Sequence, residues 1–415
     1  MDPKIPSPSG EICPSTLFLL ETFHPVVGGG ETHARLLAAE MHRRGAAVTV
    51  LTRRRTTAMS RRDTVDDVPV VRVGPSGLPR LGKYLMLVTA LPALIRLRRE
   101  YDLIYVCGLR VLGVLGVVAS RLLGKPCVLR AEAQGELSGD FARREVRRDS
   151  FLDRLVAVAV GLRNSLLLRA DAFVSISQVI TEEFEVQGVA SERLRAIPNG
   201  IDTHRFRPAS PPERRAARGR QGIPQDAYVF VYTGKLIRRK GLPALLRSFQ
   251  RLREDHEAAH LLLVGSGGLQ ALSCEEELRE FVDREEDLSD SVTFTGYVTD
   301  VESYLGAADA FVLPSESEAF PLSLLEAMSC GLVPIGSQTG GILEVIRHEE
   351  NGFLVPVRDE EALLAALRRV LVDRESARRM GEQARQDVGS RYGIERIADE
   401  HCRFFAELLA RPSID

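Results

Sequence analysis

The chain alternates short apolar runs with longer amphipathic segments along most of its 415 residues. Runs such as Leu103–Cys107 and Tyr228–Thr233 have the length and apolar character of buried parallel strands. Segments such as residues 31–44 and Leu242–Arg253 repeat apolar residues with the period of an α-helix. Alternation at this spacing predicts parallel sheets covered by helices on both faces. Two such series predict an α/β protein with two doubly wound, Rossmann-like domains.

The remaining predicted elements complete the two series. In the first series we predict further strands at 16–22, 48–52, 68–73, 127–131 and 172–176, and helices at 111–123 and 151–169. In the second series we predict further strands at 260–264, 292–294, 311–313, 332–336 and 352–355, and helices at 269–286, 321–329, 360–372 and 395–409.

A segment rich in turn residues and proline separates the two series. Residues 198–202 have a turn signature, and residues 207–212 are proline-rich without periodicity. We therefore predict an N-terminal domain over residues 1–205 and a C-terminal domain over residues 206–392. The last helix, in residues 393–415, is predicted to pack on the first domain.

The composition is typical of a soluble globular protein, with 44% hydrophobic residues, 27% charged residues and a net charge of −2. This balance argues against a general nucleic-acid binder. Residues 1–10 lack the apolar core of a signal peptide, and no apolar run approaches the ~20 residues that span a bilayer. The six cysteines show no C-x-x-C spacing, so we expect reduced core thiols in a cytoplasmic protein.

Positive charge is concentrated in one region of the first half. Between Arg80 and Arg169 there are 16 Lys and Arg against 8 Asp and Glu, a net +8, so the other residues carry −10. Basic clusters at 96–99 and 143–148 lie near the apolar stretch 155–162. Such clusters favour peripheral contact with an anionic membrane face. A solvated helix beside a core helix is the structural alternative.

Two glutamates flank the start of a predicted helix. Pro321 suits the first helical position, so Glu318 precedes the helix and Glu326 lies about one and a half turns into it. The unpaired N–H groups of a helix N-terminus form a seat for phosphate. Carboxylates accept hydrogen bonds from vicinal hydroxyls. The segment therefore favours a sugar-nucleotide site, and a capped helix with two exposed glutamates is the alternative.

Two lysines follow a predicted strand end in a chain that has 50 Arg and only five Lys. Lys235 and Lys240 each offer a compact point charge with three donors, which suits a diphosphate. Glycine-rich turns at 28–30, 265–268 and 340–341 would let backbone approach phosphate closely. Tight-turn geometry alone would explain these glycines equally well.

In this order, the motifs resemble those of family-4 glycosyltransferases, which are retaining enzymes of the two-domain GT-B fold. The matching segments are 27–31, 197–202, 234–235 with 240–241, 265–267, 318–321 with 326–328, and 340–346. The resemblance implies two Rossmann-like domains that face a central cleft. It implies a donor site made of Gly29, Gly30, Lys235, Lys240, Glu318, Phe320, Pro321, Leu322 and Glu326.

The resemblance also implies the role of each residue. Lys235 and Lys240 would hold the donor diphosphate and Glu318 would lie near the transferred sugar, so these three are the catalytic candidates. Glu326 would hydrogen-bond the ribose, backbone N–H groups around residues 320–322 would contact pyrophosphate and sugar, and the turn with Gly29 and Gly30 would close over the phosphates.

The chain departs from the family at two places. Lys235 stands where arginine is more common, which keeps the charge but loses the planar fork. Many members carry a histidine near the end of the fifth strand of the first domain, and residues 129–136 contain none. Either Gln134 or Glu132 stands nearest to that position.

The function implied is that of a retaining hexosyltransferase that moves a hexose from UDP- or GDP-hexose to a hydroxyl of a saccharide or lipid-linked acceptor. Its setting would be cell-surface polysaccharide or glycolipid assembly, in the cytoplasm or at the inner membrane face. The chain has no Asp-x-Asp pattern, so we expect no metal, and no cofactor besides the donor substrate. The alternatives are a nucleotide-sugar epimerase, a glycogen-type synthase of related fold, or a non-enzymatic two-lobed solute-binding protein.

Overall fold

The structure, a computed structural model, describes residues 13–78, 81–140, 151–268 and 272–411. It divides into two units, Met1–Gly200 with Ile394–Asp415 and Ile201–Gly393. The sequence-based boundary after residue 205 lies five residues beyond this division. The predicted basic cluster at 143–148 and the start of the predicted helix at 269–286 fall outside the described residues.

The first unit is built on an eight-stranded sheet. Its strands are β1 (Thr16–Leu20), β2 (Val48–Arg53), β3 (Arg62–Val65), β4 (Val68–Val73), β5 (Leu103–Cys107), β6 (Cys127–Arg130), β7 (Ala172–Ser175) and β8 (Leu194–Ala196). They lie in the order β3-β4-β2-β1-β5-β6-β7-β8, and every pair is parallel except β3 with β4. The helices are α1 (Gly29–Arg43), α2 (Gly82–Leu97), α3 (Leu112–Leu123), α4 (Phe151–Leu167) and α5 (Gln178–Val186).

The second unit is built on a six-stranded parallel sheet. Its strands are β9 (Tyr228–Thr233), β10 (Ala259–Val264), β11 (Val292–Gly296), β12 (Ala310–Leu313), β13 (Val333–Ser337) and β14 (Phe353–Val355), in the order β11-β10-β9-β12-β13-β14. The helices are α6 (Pro211–Arg220), α7 (Leu242–Arg253), α8 (Glu275–Arg284), α9 (Glu286–Ser289), α10 (Val301–Ala307), α11 (Leu322–Ser329), α12 (Ile342–Val345), α13 (Glu360–Val372) and α14 (Arg374–Arg391). The strand order reverses between β9 and β12, and ligands of such folds bind at a reversal of this kind.

Helix α6 corrects the predicted linker. Its N-terminus is a capping box in which Ser210 and Glu213 satisfy each other's backbone N–H groups, with proline at the first helical positions. The proline-rich segment 207–212 is therefore partly a helix start. Proline lacks the N–H that is unpaired in the first turn, so the same residues fit a linker and a helix N-terminus.

The last helix, α15 (Ile394–Ala410), belongs to the first unit, and the prediction that it returns there is confirmed. His401 Nε2 lies 3.0 Å from the hydroxyl of Tyr105 in β5, and the Phe405 ring packs edge-on against Tyr105. Arg44, next to the end of α1, forms an ion pair with Asp399. Buried aromatic and polar contacts therefore hold α15 on the sheet.

Two cysteines form a disulfide, which corrects the expectation that all six are reduced. Cys13 precedes β1 and Cys402 lies in α15, so the bridge joins positions 389 residues apart. Sequence spacing gives no sign of this pair because only the packing of α15 brings them together. Cys107, Cys127, Cys274 and Cys330 are free and buried, as predicted.

In the part of the chain that the structure describes, no helix is both long and apolar enough to cross a membrane.

Candidate active site

The turn after β9 packs against the residue that follows β12. Gly241 has φ +71°, and a Cβ atom there would overlap with the carbonyl oxygen of Pro314. Only glycine allows this approach, because the position is both left-handed and crowded by backbone. The 3-10 turn Arg238–Lys240 is thereby held beside the carboxyl end of β12.

This packing places Lys240 next to Glu318. Lys240 Nζ donates a hydrogen bond to Glu318 Oε1, and the two side chains are 24% and 10% exposed. The pair comes from loops that follow adjacent strands, β9 and β12. The structure therefore brings together two of the three predicted catalytic residues.

Lys235 differs from Lys240 in its surroundings. The residue is exposed, and its ammonium group makes no hydrogen bond or ion pair with any residue that the structure describes. Its carbonyl oxygen accepts a hydrogen bond of 2.8 Å from the hydroxyl of Tyr232, which fixes the backbone of the turn. Lys235 thus presents a cation from a fixed backbone position.

The other glycine turns of the second unit pack against protein backbone. A Cβ atom at Gly265 would overlap with the carbonyl oxygen of Gly234, and one at Gly340 would overlap with that of Glu318. The N–H of Gly341 donates to the Glu318 carbonyl oxygen at 3.1 Å. Close packing therefore requires these glycines, and the turn with Gly340 and Gly341 holds the backbone of Glu318.

Helix α11 starts one residue later than predicted. Pro321 is its N-cap, with φ −79° and ψ 113°, and no side chain caps the helix. Phe320, Pro321 and Leu322 are buried. The backbone N–H groups at the start of α11 follow Glu318 closely along the chain, as the predicted phosphate seat requires.

Glu326 lies in a different electrostatic environment from Glu318. Burial raises the pKa of Glu326 to about 7, opposed by the nearby charge of Arg205 and reinforced by that of Glu302. Arg205 donates to Glu302 Oε2 at 2.8 Å and to the Thr299 carbonyl oxygen at 3.0 Å. Sequence reasoning missed this arginine and its partner because neither belongs to a recognisable motif.

The predicted glycine turn of the first unit precedes α1. Gly28 is the N-cap of α1. A Cβ atom at Gly28 would overlap with the carboxylate of Glu31, which accepts a hydrogen bond from the Thr22 hydroxyl. Gly29 is open, since a Cβ atom there would meet nothing within 4 Å. The space beside Gly30 is already occupied, because a Cβ atom there would overlap with the carboxylate of Glu132.

Comparison with known proteins matches both units to one enzyme class. Residues 213–387 match the model of glycosyl transferases group 1, and residues 27–205 match that of glycosyltransferase family 4. A D-inositol 3-phosphate glycosyltransferase of Saccharomonospora viridis is 28% identical over 407 residues, which cover 92% of this chain and 90% of the relative. An Escherichia coli UDP-Gal:alpha-D-GlcNAc-diphosphoundecaprenol alpha-1,3-galactosyltransferase is 26% identical over 72% of this chain and 74% of the relative.

Solved structures share the fold. Anabaena HepE in complex with UDP and glucose has a TM-score of 0.74 at 22% identity, over 95% of this chain and 99% of that chain. Sucrose-phosphate synthase from Thermosynechococcus elongatus has a TM-score of 0.76 at 25% identity, with the same coverage. The two parallel-sheet α/β units, together with these matches, show the GT-B fold. The chain belongs to the group 1 glycosyltransferases of this fold, and it is therefore an enzyme that transfers glycosyl groups.

Proposed function

We propose that the protein is a retaining, metal-independent hexosyltransferase that moves a hexose from a nucleotide diphosphate sugar to an acceptor hydroxyl. The observation that carries the proposal is the edge of the second sheet, where Lys235 is unpaired among the described residues and Lys240 pairs with Glu318. The edge lies at the reversal between β9 and β12, where such sheets bind ligands.

The two lysines would stabilise the leaving diphosphate. The ammonium group of Lys235 pairs with nothing in the described ranges, and Lys240 can share its three donors between a phosphate oxygen and Glu318. Positive charge aimed at the negative charge that develops on the leaving group lowers the barrier directly. These cations would supply the charge that a metal ion supplies in other transferases.

The two glutamates would bind hydroxyl groups. Glu318, held by Lys240 and by the turn with Gly341, would accept a hydrogen bond from the transferred hexose. Glu326 would accept hydrogen bonds from the ribose, and such bonds favour its carboxylate form. The N–H groups around residues 320–322 and the turn with Gly29 and Gly30 would complete the donor site.

Retention would follow from reaction on one face of the sugar. The bond between C1 and the phosphate oxygen breaks with its electron pair on the phosphate, and the acceptor oxygen bonds to C1 on the same face. The acceptor proton passes to the leaving phosphate. Catalysis would then consist of positioning and electrostatic stabilisation, without a covalent glycosyl-enzyme.

The relatives support a UDP-hexose donor and a saccharide or lipid-linked acceptor. HepE was solved with UDP-glucose, and the Escherichia coli relative is named for a diphosphoundecaprenol acceptor.

A further observation favours peripheral contact with an anionic membrane. Helix α2 is apolar on its buried face and also exposes Tyr84, Leu85 and Val88. It borders a groove of about 650 Å³ whose rim includes Arg96.

The proposal is tested by measuring nucleotide release. The purified protein is incubated in EDTA with UDP-glucose, UDP-galactose, UDP-N-acetylglucosamine and GDP-mannose, with water or a mixture of simple sugars as acceptors. We expect nucleoside diphosphate to be released from at least one UDP-hexose. Release from none of the four donors, or only after a divalent cation is added, would contradict the proposal or its metal independence respectively.

A further inference from the structure

The first unit is assembled from two separate stretches of the chain. Residues up to Gly200 form its sheet and most of its helices, and Ile394–Asp415 return to it after the whole second unit. In the described part of the chain, this returning stretch is almost entirely helix α15. The completeness of the first unit therefore depends on how firmly α15 stays attached to it.

Non-covalent contacts hold one face of α15. Ile397, Phe405 and Leu408 are buried in the same hydrophobic cluster as residues of β1 and α1. At the start of the helix, a Cβ atom at Gly200 would come within 3.0–3.1 Å of atoms of Ile394 and Ile397. Helix α15 therefore also packs against the residue at which the chain leaves the first unit.

One covalent bond adds to these contacts. Cys402, near the middle of α15, is bonded to Cys13, which lies three residues before β1, an internal strand of the sheet. The two Cα atoms are 4.8 Å apart, inside the range of about 4.4–6.8 Å that disulfides usually span. The bond can therefore open and close while β1 and α15 keep their places.

The four free cysteines differ from this pair in their reactivity. Burial raises the pKa of all four thiols, to about 11 in Cys274 and to about 12 in Cys107 and Cys330. Because the thiolate is the form that attacks a disulfide, thiols with a raised pKa exchange slowly. Redox chemistry of the cysteines is therefore concentrated at the bonded pair.

We propose that the Cys13–Cys402 disulfide is a redox switch that controls how often helix α15 detaches from the first unit. With the bond closed, α15 stays joined to the residue before β1 even while its non-covalent contacts are briefly broken. With the bond open, those contacts alone hold the helix, so local unfolding of α15 becomes more frequent. The switch does not depend on the proposed glycosyl transfer.

The bond opens by thiol–disulfide exchange with a dithiol reductant. A thiolate of the dithiol attacks the Sγ of one cysteine, and the S–S bond breaks with its electron pair on the other sulfur, which takes up a proton. The second thiolate of the dithiol then displaces the first cysteine. The protein gains two electrons and two protons, and the dithiol becomes a cyclic disulfide. In the reverse direction, oxidised glutathione accepts the two electrons and two protons and leaves as two thiols.

The test measures hydrogen exchange of backbone amides in the oxidised and the reduced full-length protein. Wild-type protein is treated with oxidised glutathione or with dithiothreitol, and thiol titration shows whether the bond is closed or open. We expect dithiothreitol to speed exchange in α15 about tenfold or more and to lower the melting temperature by about 5 °C or more. Exchange in strands β9 to β14 of the second unit should change less, and oxidised glutathione should restore slow exchange in α15.

Three variants separate the bond from other effects of the reductant. Cys13→Ala and Cys402→Ala each remove the bond, so both should exchange like the reduced wild-type protein in either buffer. Cys274→Ala removes a free thiol of the second unit and should keep the full response to dithiothreitol. If an alanine variant does not fold, the reversible treatment of the wild-type protein still decides the matter.

Every other outcome overturns the proposal. Six free thiols after treatment with oxidised glutathione would show that the bond does not form. A bond that stays closed in dithiothreitol while the protein is folded would be a permanent structural link. Unchanged exchange in α15 after complete reduction would show that the non-covalent contacts alone hold the helix. A response to dithiothreitol that persists in Cys13→Ala and Cys402→Ala would assign the effect to another site.

Discussion

Each unit of the molecule places a basic–acidic pair at a strand end, but the two pairs differ in what they leave available. In the second unit Lys240 is partly exposed and pairs with Glu318, and Lys235, five positions away, pairs with none of the described residues. In the first unit Arg130 is buried, and Glu132 and Asn199 occupy its guanidinium. The second unit therefore keeps cations available to a ligand, whereas protein acceptors already occupy the guanidinium of the first unit.

This contrast favours the pair of the second unit as the seat of the proposed donor diphosphate. A diphosphate needs cations whose donors can be shared, and the lysines meet that need.

Loss of Lys240 should have the largest effect. Lys240→Met keeps the side chain's volume but removes its charge, and loss of one electrostatic donor typically lowers turnover about 10²- to 10³-fold. Nucleotide release at saturating donor measures the effect. The matched control is Arg378→Met, because Arg378 is an exposed cation on α14 whose pair with Glu382 is also exposed. Turnover near the wild-type value in a folded Lys240→Met protein would remove Lys240 from the site.

Substitution of the two glutamates of the second unit should change the kinetics in different ways. Glu318→Ala should lower the rate at saturating donor, because in the proposed site Glu318 would contact the sugar whose bond breaks. Glu326→Ala should mainly raise KM for the donor, about 10-fold or more, because ribose contacts exist in ground and transition states alike. Steady-state kinetics distinguish these effects. Identical profiles would show that at least one role is misassigned.

The pH dependence of UDP binding should follow Glu326. Its pKa of about 7 means that the carboxylate is mostly protonated at pH 6 and mostly ionised at pH 8. If UDP binds the ionised form, its affinity should rise about tenfold over this range and stay flat in Glu326→Gln. Calorimetry at the two pH values measures the rise. An equal rise in Glu326→Gln would place the titrating group elsewhere.

Through Glu326, a rise in pH should lower the stability of the fold, which is opposite to its effect on UDP affinity. Its pKa is raised on folding from 4.5 to about 7, so the native state binds more protons in this interval. The stability that Glu326 contributes is present below pH 4.5 and is lost as the pH rises through 7. The melting temperature of Glu326→Gln minus that of the wild-type protein should therefore be larger at pH 8 than at pH 5. No change in this difference would contradict the raised pKa.

Contact with a membrane should give the smallest and most salt-dependent effect. Removal of one basic residue near an anionic surface costs about 1 kcal/mol, so Arg96→Gln should weaken binding to phosphatidylserine vesicles about fivefold at low salt. Co-sedimentation measures binding, and Arg378→Gln in the second unit is the control. Binding should disappear at ~1 M salt, where the Debye length is about 3 Å. Lack of wild-type binding at low salt would remove the membrane proposal and leave the transferase assignment intact.

The sequence predicted the elements whose pattern is strong and local. Strands such as β9 and helices such as α7 have the predicted bounds, because a buried parallel strand and an amphipathic helix each leave a distinct periodicity. Strand β3 was missed because it is short and mostly exposed. Helix α2 was missed because it is apolar on more than one face and contains Pro92, so it lacks a clear polar stripe.

For the candidate site, too, the sequence identifies residues in short motifs but not residues that are brought together by packing. Lys235, Lys240, Glu318 and Glu326 lie within short motifs and were identified from them. Arg130 was not, although a charged residue that ends an apolar strand is a recognisable signal of a buried pair. Its partner Asn199 lies 69 residues further along the chain, and Cys402 lies 389 residues from Cys13. Contacts at such separations are set by packing, which no local pattern reveals.

The anomeric configuration of the first product tests the proposed retaining transfer most directly. The donor that the protein turns over, such as UDP-glucose, is followed by proton NMR with water or a simple sugar as acceptor. Reaction on one face at the edge that carries Lys235, Lys240 and Glu318 predicts an initial product with the α configuration of the donor. Initial formation of the β-anomer would contradict the retaining mechanism and the roles assigned to these residues.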